Sequence, residues 1–292
     1  MTIPRLALAP YRIGRPRNVD DFLGGIEALL AEAKTGGADL LVLPEYASMA
    51  LAGAFVAVPD IAAELEAVVS RADALIAGFR ALARRFGLLL LAGTVPMRDE
   101  NGRIRNRAPL INGDGKIGFQ DKRVMTRFES EQWGIAAGAP PSVFETDFGR
   151  IGVAICYDSE FPWLVRAQAL AGADLVLIPS CTDTLHGFNR VLCSARARAL
   201  ENQCYTALVP TTGTAPWSAT VDENRGFAGA FGPIDRGFPA DGVIVSGVLD
   251  ESALVFASID REKLAATRAD PAVRNSTDWP DNPAPADVAA LR

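Results

Sequence analysis

Two kinds of apolar pattern alternate along the chain. Short runs in which every position is apolar, such as Leu40-Leu41-Val42-Leu43, predict strands covered on both faces. Longer stretches carry apolar residues three and four apart, which predicts helices packed by one face. Leu6–Ala9 reads as the first strand. Asp20 and Asp21 are placed to cap a helix reaching about Lys34, with Phe22, Ile26, Leu29, Leu30 and Ala33 on its buried face. Gly36-Gly37 ends that helix, and Pro44 stops the Leu40–Leu43 strand. An Ala-rich helical pattern then covers Ile61–Phe86, with a candidate break near Ser70, before a strand over Leu88–Thr94.

The second half repeats the alternation with more hairpins. Ala108–Ile111 and Lys116–Gln120 flank Asn112-Gly113-Asp114-Gly115, a strong turn signal. Asp121 to Pro141 has no clear period and reads as a structured loop. Strands are expected at Val143–Thr146, Arg150–Ile155, Leu175–Pro179, Tyr205–Val209, Gly226–Phe231, Gly242–Leu249 and Ala253–Ser258. Helices are expected at Phe161–Leu170 and Asn189–Asn202. From Asp270 the periodicity is lost among Pro271, Pro280, Pro283 and Pro285, which suggests an extended arm over the surface or a neighbouring subunit. No linker or repeat divides the chain. The expectation is one α/β domain over residues 1–269 and a tail over 270–292, with two mixed sheets face to face and helices outside.

Composition narrows the partners. With 49% hydrophobic residues among 292, a large core is available. The 29 basic and 35 acidic residues give a net charge of −6 without a basic cluster, which argues against nucleic acid or an anionic membrane. No apolar run is long enough to span a bilayer, and the segment starting at Met1 lacks a signal-peptide layout. Cys156, Cys181, Cys193 and Cys204 form no C-x-x-C pair, and His186 is the single histidine, so a zinc cluster is not expected. Reduced thiols fit a cytoplasmic protein.

Chemistry concentrates at three strand ends, where α/β proteins place their sites. Glu45 follows the apolar Leu40–Leu43 run. Desolvation there would raise its pKa and make it a better base. Lys122 follows the second hairpin strand. Cys156 ends a strand and opens a polar turn before Phe161-Pro162, a setting like a nucleophile elbow. Taken singly, each has an ordinary reading: a surface carboxylate, a surface lysine and a small buried hydrophobe. His186 is the other available base for a cysteine, but nothing around it marks it as catalytic.

Leu43-Pro44-Glu45, Asp121-Lys122-Arg123 and Ile155-Cys156-Tyr157-Asp158-Ser159-Glu160-Phe161-Pro162 together resemble the nitrilase (carbon–nitrogen hydrolase) superfamily, in order and separation. Leu177-Ile178-Pro179-Ser180 and Arg198-Ala199-Leu200-Glu201-Asn202 also fit its pattern, and the resemblance runs from about Ile3 to Asp260. It implies a four-layer α-β-β-α sandwich and a Glu45, Lys122, Cys156 triad with no metal or organic cofactor. It further implies a second glutamate between the lysine and the cysteine. Its spacing to Gly138 points to Glu131, with Glu129 the alternative.

On this resemblance Glu45 takes the thiol proton, Cys156 attacks, and Lys122 with the Tyr157 N–H holds the oxyanion. The implied enzyme is an amidase acting on a small amide through a thioester, with nitrile and N-carbamoyl substrates as rivals on the same triad. A non-catalytic interaction protein that kept the fold is the other alternative. The resemblance also implies a homodimer or higher homo-oligomer. Glu160 either faces the pocket, disfavouring anionic substrates, or serves the helix that follows. Trp133, Phe188 and Trp217 are candidate pocket aromatics, and Cys181, ending the next strand, is a candidate pocket wall.

Overall fold

The computed structural model describes residues 4–279. In chain order the elements are β1 (Arg5–Leu8), β2 (Tyr11–Arg12), α1 (Val19–Thr35), β3 (Leu40–Leu43), α2 (Ala52–Phe55), α3 (Ile61–Val69), α4 (Ala72–Phe86), β4 (Leu89–Ala92), β5 (Val95–Arg98), β6 (Ile104–Ile111) and β7 (Ile117–Asp121). There follow β8 (Val143–Thr146), β9 (Gly149–Val153), α5 (Pro162–Leu170), β10 (Leu175–Ser180), α6 (Leu185–Asn202), β11 (Tyr205–Thr214), β12 (Glu223–Asn224), β13 (Gly229–Phe231), β14 (Val243–Ser246), β15 (Val255–Ser258) and α7 (Arg261–Ala269).

The strands form two mixed sheets. The seven-stranded sheet runs β15-β1-β3-β4-β6-β5, with β7 also on β6. Its β1, β3 and β4 are parallel, and its remaining pairings are antiparallel. The eight-stranded sheet runs β14-β13-β11-β10-β9-β8, with β2 and β12 attached to β11. Alternation within the strands explains the layering. Leu6, Leu8, Leu40, Val42, Leu89 and Leu91 pack into one core with Ile151, Val153, Leu175 and Leu177 of the second sheet. The intervening residues Ala7, Leu41, Leu43 and Leu90 face the other way, onto Phe22, Ile26, Leu75 and Phe79 of α1 and α4. Val165 of α5 and Val191, Ala195 and Ala199 of α6 cover the second sheet. Wholly apolar strands arise because both faces of each sheet are buried.

Several expectations are refined. Asn18, rather than Asp20 or Asp21, caps α1 by accepting from the Asp21 N–H, while Asp21 pairs with Arg17. The Ile61–Phe86 pattern does split at Ser70 into α3 and α4. The expected loop after β7 contains one π turn, Glu129–Trp133. Helix α7 was not foreseen, since it buries only Leu264 and Thr267. Within the described part of the tail, Trp279 packs edge-on against Trp163, lies over Arg166 and donates from Nε1 to the Asn275 carbonyl at 2.6 Å. That segment therefore lies on the chain's own α5, not away from it. Pro280, Pro283 and Pro285 lie outside the described residues.

Candidate active site

Three strand ends converge. After β3, Glu45 is followed by Tyr46 in the left-handed region (φ 57°), whose N–H donates to Thr94 Oγ1 at 2.9 Å. Gly93 has φ +66° and lies against the Pro44 carbonyl, where a Cβ would collide. Backbone proximity of that kind fixes the direction of Glu45. After β7, Lys122 donates its N–H to the Asn106 carbonyl and accepts from the Gly138 N–H, each at 2.8 Å. After β9, Cys156 itself adopts φ 47° and opens a 3₁₀ turn, Cys156–Glu160, so the nucleophile candidate stands on a strained bend. Asp158 in that turn accepts from the Arg123 and Val124 N–H groups at 2.8 to 3.1 Å. This ties the lysine loop to the cysteine turn.

The side chains meet below the surface. Glu45 and Lys122 are each 1% exposed, Glu129 3% and Cys156 4%. Lys122 Nζ donates to Glu45 Oε1 at 2.7 Å and to Glu129 Oε2 at 2.6 Å. Asn106 Nδ2 donates to Glu45 Oε1 at 2.8 Å and to Glu129 Oε1 at 3.3 Å. Glu129 also accepts from the Tyr46 hydroxyl at 2.7 Å and from Thr126 N–H and Oγ1. The second oxygen of Glu45 accepts the Cys181 N–H at 3.0 Å. Cys156 Sγ lies 3.8 Å from the Cys181 carbonyl.

Two carboxylates share one ammonium here, which sets the protonation pattern. Burial, with Glu129 alongside, pushes Glu45 up to about 7 against the pull of Lys122. Burial opposes charge on Lys122, but Glu129 and Glu45 outweigh it and hold the ammonium well above its ordinary range. Burial and the nearby Glu45 push the Cys156 thiol well up, so it rests protonated. Glu129 lies below the usual carboxylate range; burial opposes this, and Lys122 overcomes it. Asp158 is pushed up to about 6 by burial. A protonated thiol beside a carboxylate that titrates near neutrality is an arrangement able to serve as nucleophile and base.

Cys156 opens into a cleft of about 750 Å³, whose lining includes Trp133, Tyr157, Glu160, Cys181 and Glu129. Glu45 and Lys122 lie beneath its floor. The structure brings together Glu45, Lys122, Cys156 and Glu129. Glu131 is not among them: it faces solvent and pairs with Arg127 at 2.8 Å. In the π turn, Glu129 and Trp133 are buried, while Ser130, Glu131 and Gln132 are exposed. The four-residue spacing of Glu129 from Trp133 is the signal that would have singled it out. Glu160 does reach the cleft, where Arg190 meets it at 3.4 Å. Phe188 is buried against Phe227 and does not line the cleft, and Trp217 packs on Gly53 and Arg15. Asn106, Thr126 and Asp158 were missed. Asn106 lies in the part of β6 preceding the expected strand start.

A family model described as carbon-nitrogen hydrolase matches residues 5–269. "Probable hydrolase YhcX" of Bacillus subtilis is 31% identical over 274 residues, 94% of this chain and 53% of that protein, so the chain spans about half of that relative's length. "Deaminated glutathione amidase" of a Synechocystis species is 31% identical over 222 residues, 72% of this chain and 78% of that one. Among solved structures, XC1258 from Xanthomonas campestris, titled a CN-hydrolase superfamily protein with an arsenic adduct in the active site, is 25% identical. It superposes with a TM-score of 0.73 over 92% of this chain and 95% of that one. Two layered sheets, a cysteine at a strand-end bend and a family match over nearly the whole length agree, and the chain belongs to the carbon–nitrogen hydrolase family.

Proposed function

We propose that this enzyme hydrolyses small amides through a thioester on Cys156. The observation that carries the reading is one buried cluster at the floor of an open cleft: Cys181 meets Cys156 Sγ at its carbonyl (3.8 Å) and Glu45 at its N–H (3.0 Å), and Lys122 bonds Glu45 at 2.7 Å. Glu45 removes the thiol proton as Sγ attacks the amide carbonyl. The carbonyl electron pair moves to oxygen, and the oxyanion is met by the Lys122 ammonium and the Tyr157 N–H. The oxyanion collapses, the C–N bond breaks, and the proton held by Glu45 passes to nitrogen, releasing ammonia or an amine. Glu45, ionised again, takes a proton from water as the water oxygen attacks the thioester carbonyl; collapse of the second oxyanion breaks the C–S bond and frees the carboxylic acid, and the proton on Glu45 returns to the sulfur to restore the thiol. Glu129 is the second glutamate of the site and holds Lys122 in position, accepting from Nζ at 2.6 Å.

Amide is favoured over nitrile and carbamoyl substrates because a relative of 31% identity is named as an amidase. The wider reading is a cytoplasmic homo-oligomer. The free thiols fit a reducing compartment, and Trp163 (54% exposed), Leu170 (69%) and Val273 (56%) offer apolar surface for contact. Among the described residues, no helix is long and apolar enough to cross a membrane. The test is ammonia release from matched amides, nitriles and carbamoyl compounds, with Cys156→Ala as control. Amides should be turned over fastest by the wild type and not at all by the variant. Equal release by both proteins would contradict the reading.

A further inference from the structure

Glu64 is a buried carboxylate that the chemistry above does not use. It lies on α3, is 1% exposed, and among the described residues no cation meets it. Its partners come from a segment more than 150 residues away. Ser218 Oγ donates to it at 2.7 Å, the Ala219 N–H at 2.7 Å, the Thr220 N–H at 3.2 Å and Thr220 Oγ1 at 2.6 Å. A buried carboxylate without a cation is costly unless donors of this kind fill its lone pairs. The loop between β11 and β12 is therefore locked in one conformation.

That loop is a wall of the cleft. Ala219, Thr220, Asp222 and Glu223 line the same cavity as Cys156. It is also tied to the catalytic floor: Asn224 Nδ2 donates to the Val221 carbonyl at 2.8 Å, and Cys181 Sγ lies 3.4 Å from Asn224 Oδ1. The charges around the cleft are unequal. Its two cations are already met, Arg127 by Glu131 and Arg190 by Glu160. Asp183, Asp222 and Glu223 are exposed in the cleft and, among the described residues, have no salt bridge.

We propose that the Glu64-locked loop is the wall that selects the distal end of the substrate, and that Asp222 and Glu223 make it prefer a cationic or neutral end over a carboxylate. The inference rests on reading this cleft as the substrate cleft. It names a class: amides bearing an ammonium or an uncharged group beyond the scissile bond. Glu64 acts through the loop and touches no substrate, so it is a positioning residue.

The test reads the cleft without requiring turnover. In a Cys193→Ser background, which removes the exposed thiol, Cys156 is modified with methanethiosulfonates carrying either a trimethylammonium or a sulfonate. Peptide mass mapping follows modification of Cys156 separately from that of Cys181. The cationic reagent should react faster, and Asp222→Asn with Glu223→Gln should cut the rate ratio roughly three- to tenfold, the span expected for two exposed charges. Glu64→Gln places an amide N–H among N–H donors and loosens the loop, so the ratio should fall in the same direction. If Glu64→Gln fails to fold, the exposed double variant decides alone. A faster anionic reagent, or a ratio unmoved by the double variant, overturns the proposal. The same preference should appear as faster hydrolysis of ω-aminovaleramide and hexanamide than of glutaramate. Absence of all hydrolysis would refute the amidase reading while leaving the modification ratio interpretable.

Discussion

In the proposed mechanism Glu45 must be ionised to take the thiol proton, and it titrates near 7 because burial outweighs the attraction of Lys122. The sign follows directly. As pH falls through about 7 the base becomes protonated, so kcat/KM should fall along an acid limb centred there. Glu45→Gln should lose roughly a thousandfold or more and flatten that limb, as expected when a general base is removed. Glu129 has the opposite leverage on the same group, since its negative charge raises the Glu45 pKa. Glu129→Gln should therefore move the acid limb to lower pH, while lowering the rate by loosening Lys122. Glu131→Gln should change the rate less than twofold, because it removes only an exposed ion pair. A pH–rate profile of the two variants side by side checks both statements. The sequence made Glu45, Lys122 and Cys156 visible because each follows a strand. It left the second glutamate open between Glu131 and Glu129, because spacing to a glycine carries no information about which face of a single turn points inward.

At the scale of elements, the site depends on loops being held by backbone contacts. A Cβ on Gly138 would collide with the Asp121 side chain and crowd the Lys122 carbonyl, whose partner is the Gly138 N–H. Gly138→Ala should cost roughly 1–3 kcal/mol, typical of overpacking, and lower activity by displacing Lys122. Thermal unfolding and steady-state rates on one preparation measure the two effects. Elements with strong apolar runs were readable, down to the Leu40–Leu43 boundaries and the break at Ser70. Those resting on few buried residues were not. Helix α7, with Leu264 and Thr267 inward, lacks a stripe, and the consecutive polar residues Arg105, Asn106 and Arg107 near the start of β6 hid Asn106.

Over the whole molecule, layering explains why so little of the Glu45, Lys122, Glu129 and Cys156 cluster is exposed. Two sheets packed face to face leave their strand ends side by side, so β3, β7 and β9 deliver their residues to one cleft from distant points of the chain. Alternation within apolar strands predicted two covered faces, but the pairing order could not be read, because every strand of that kind presents the same pattern. The end of the described chain closes over α5, where Trp279 meets Trp163 and Arg166. Trp279→Ala should lower stability by roughly 1–2 kcal/mol through loss of the ring and cation contacts. Thermal unfolding checks this. If the apolar surface around Trp163 also joins subunits, gel filtration of the variant should show a smaller particle.

The central claim is covalent: Cys156 carries the acyl group of an amide during turnover. The most direct measurement is intact-protein mass spectrometry of wild type and Glu45→Gln, quenched in acid during reaction with an amide that the wild type hydrolyses. The account predicts an added mass equal to the acyl group without its amine, mapped to the Cys156 peptide and absent from Cys156→Ala. Turnover of that amide with no adduct on Cys156, or an adduct that persists in Cys156→Ala, would contradict it.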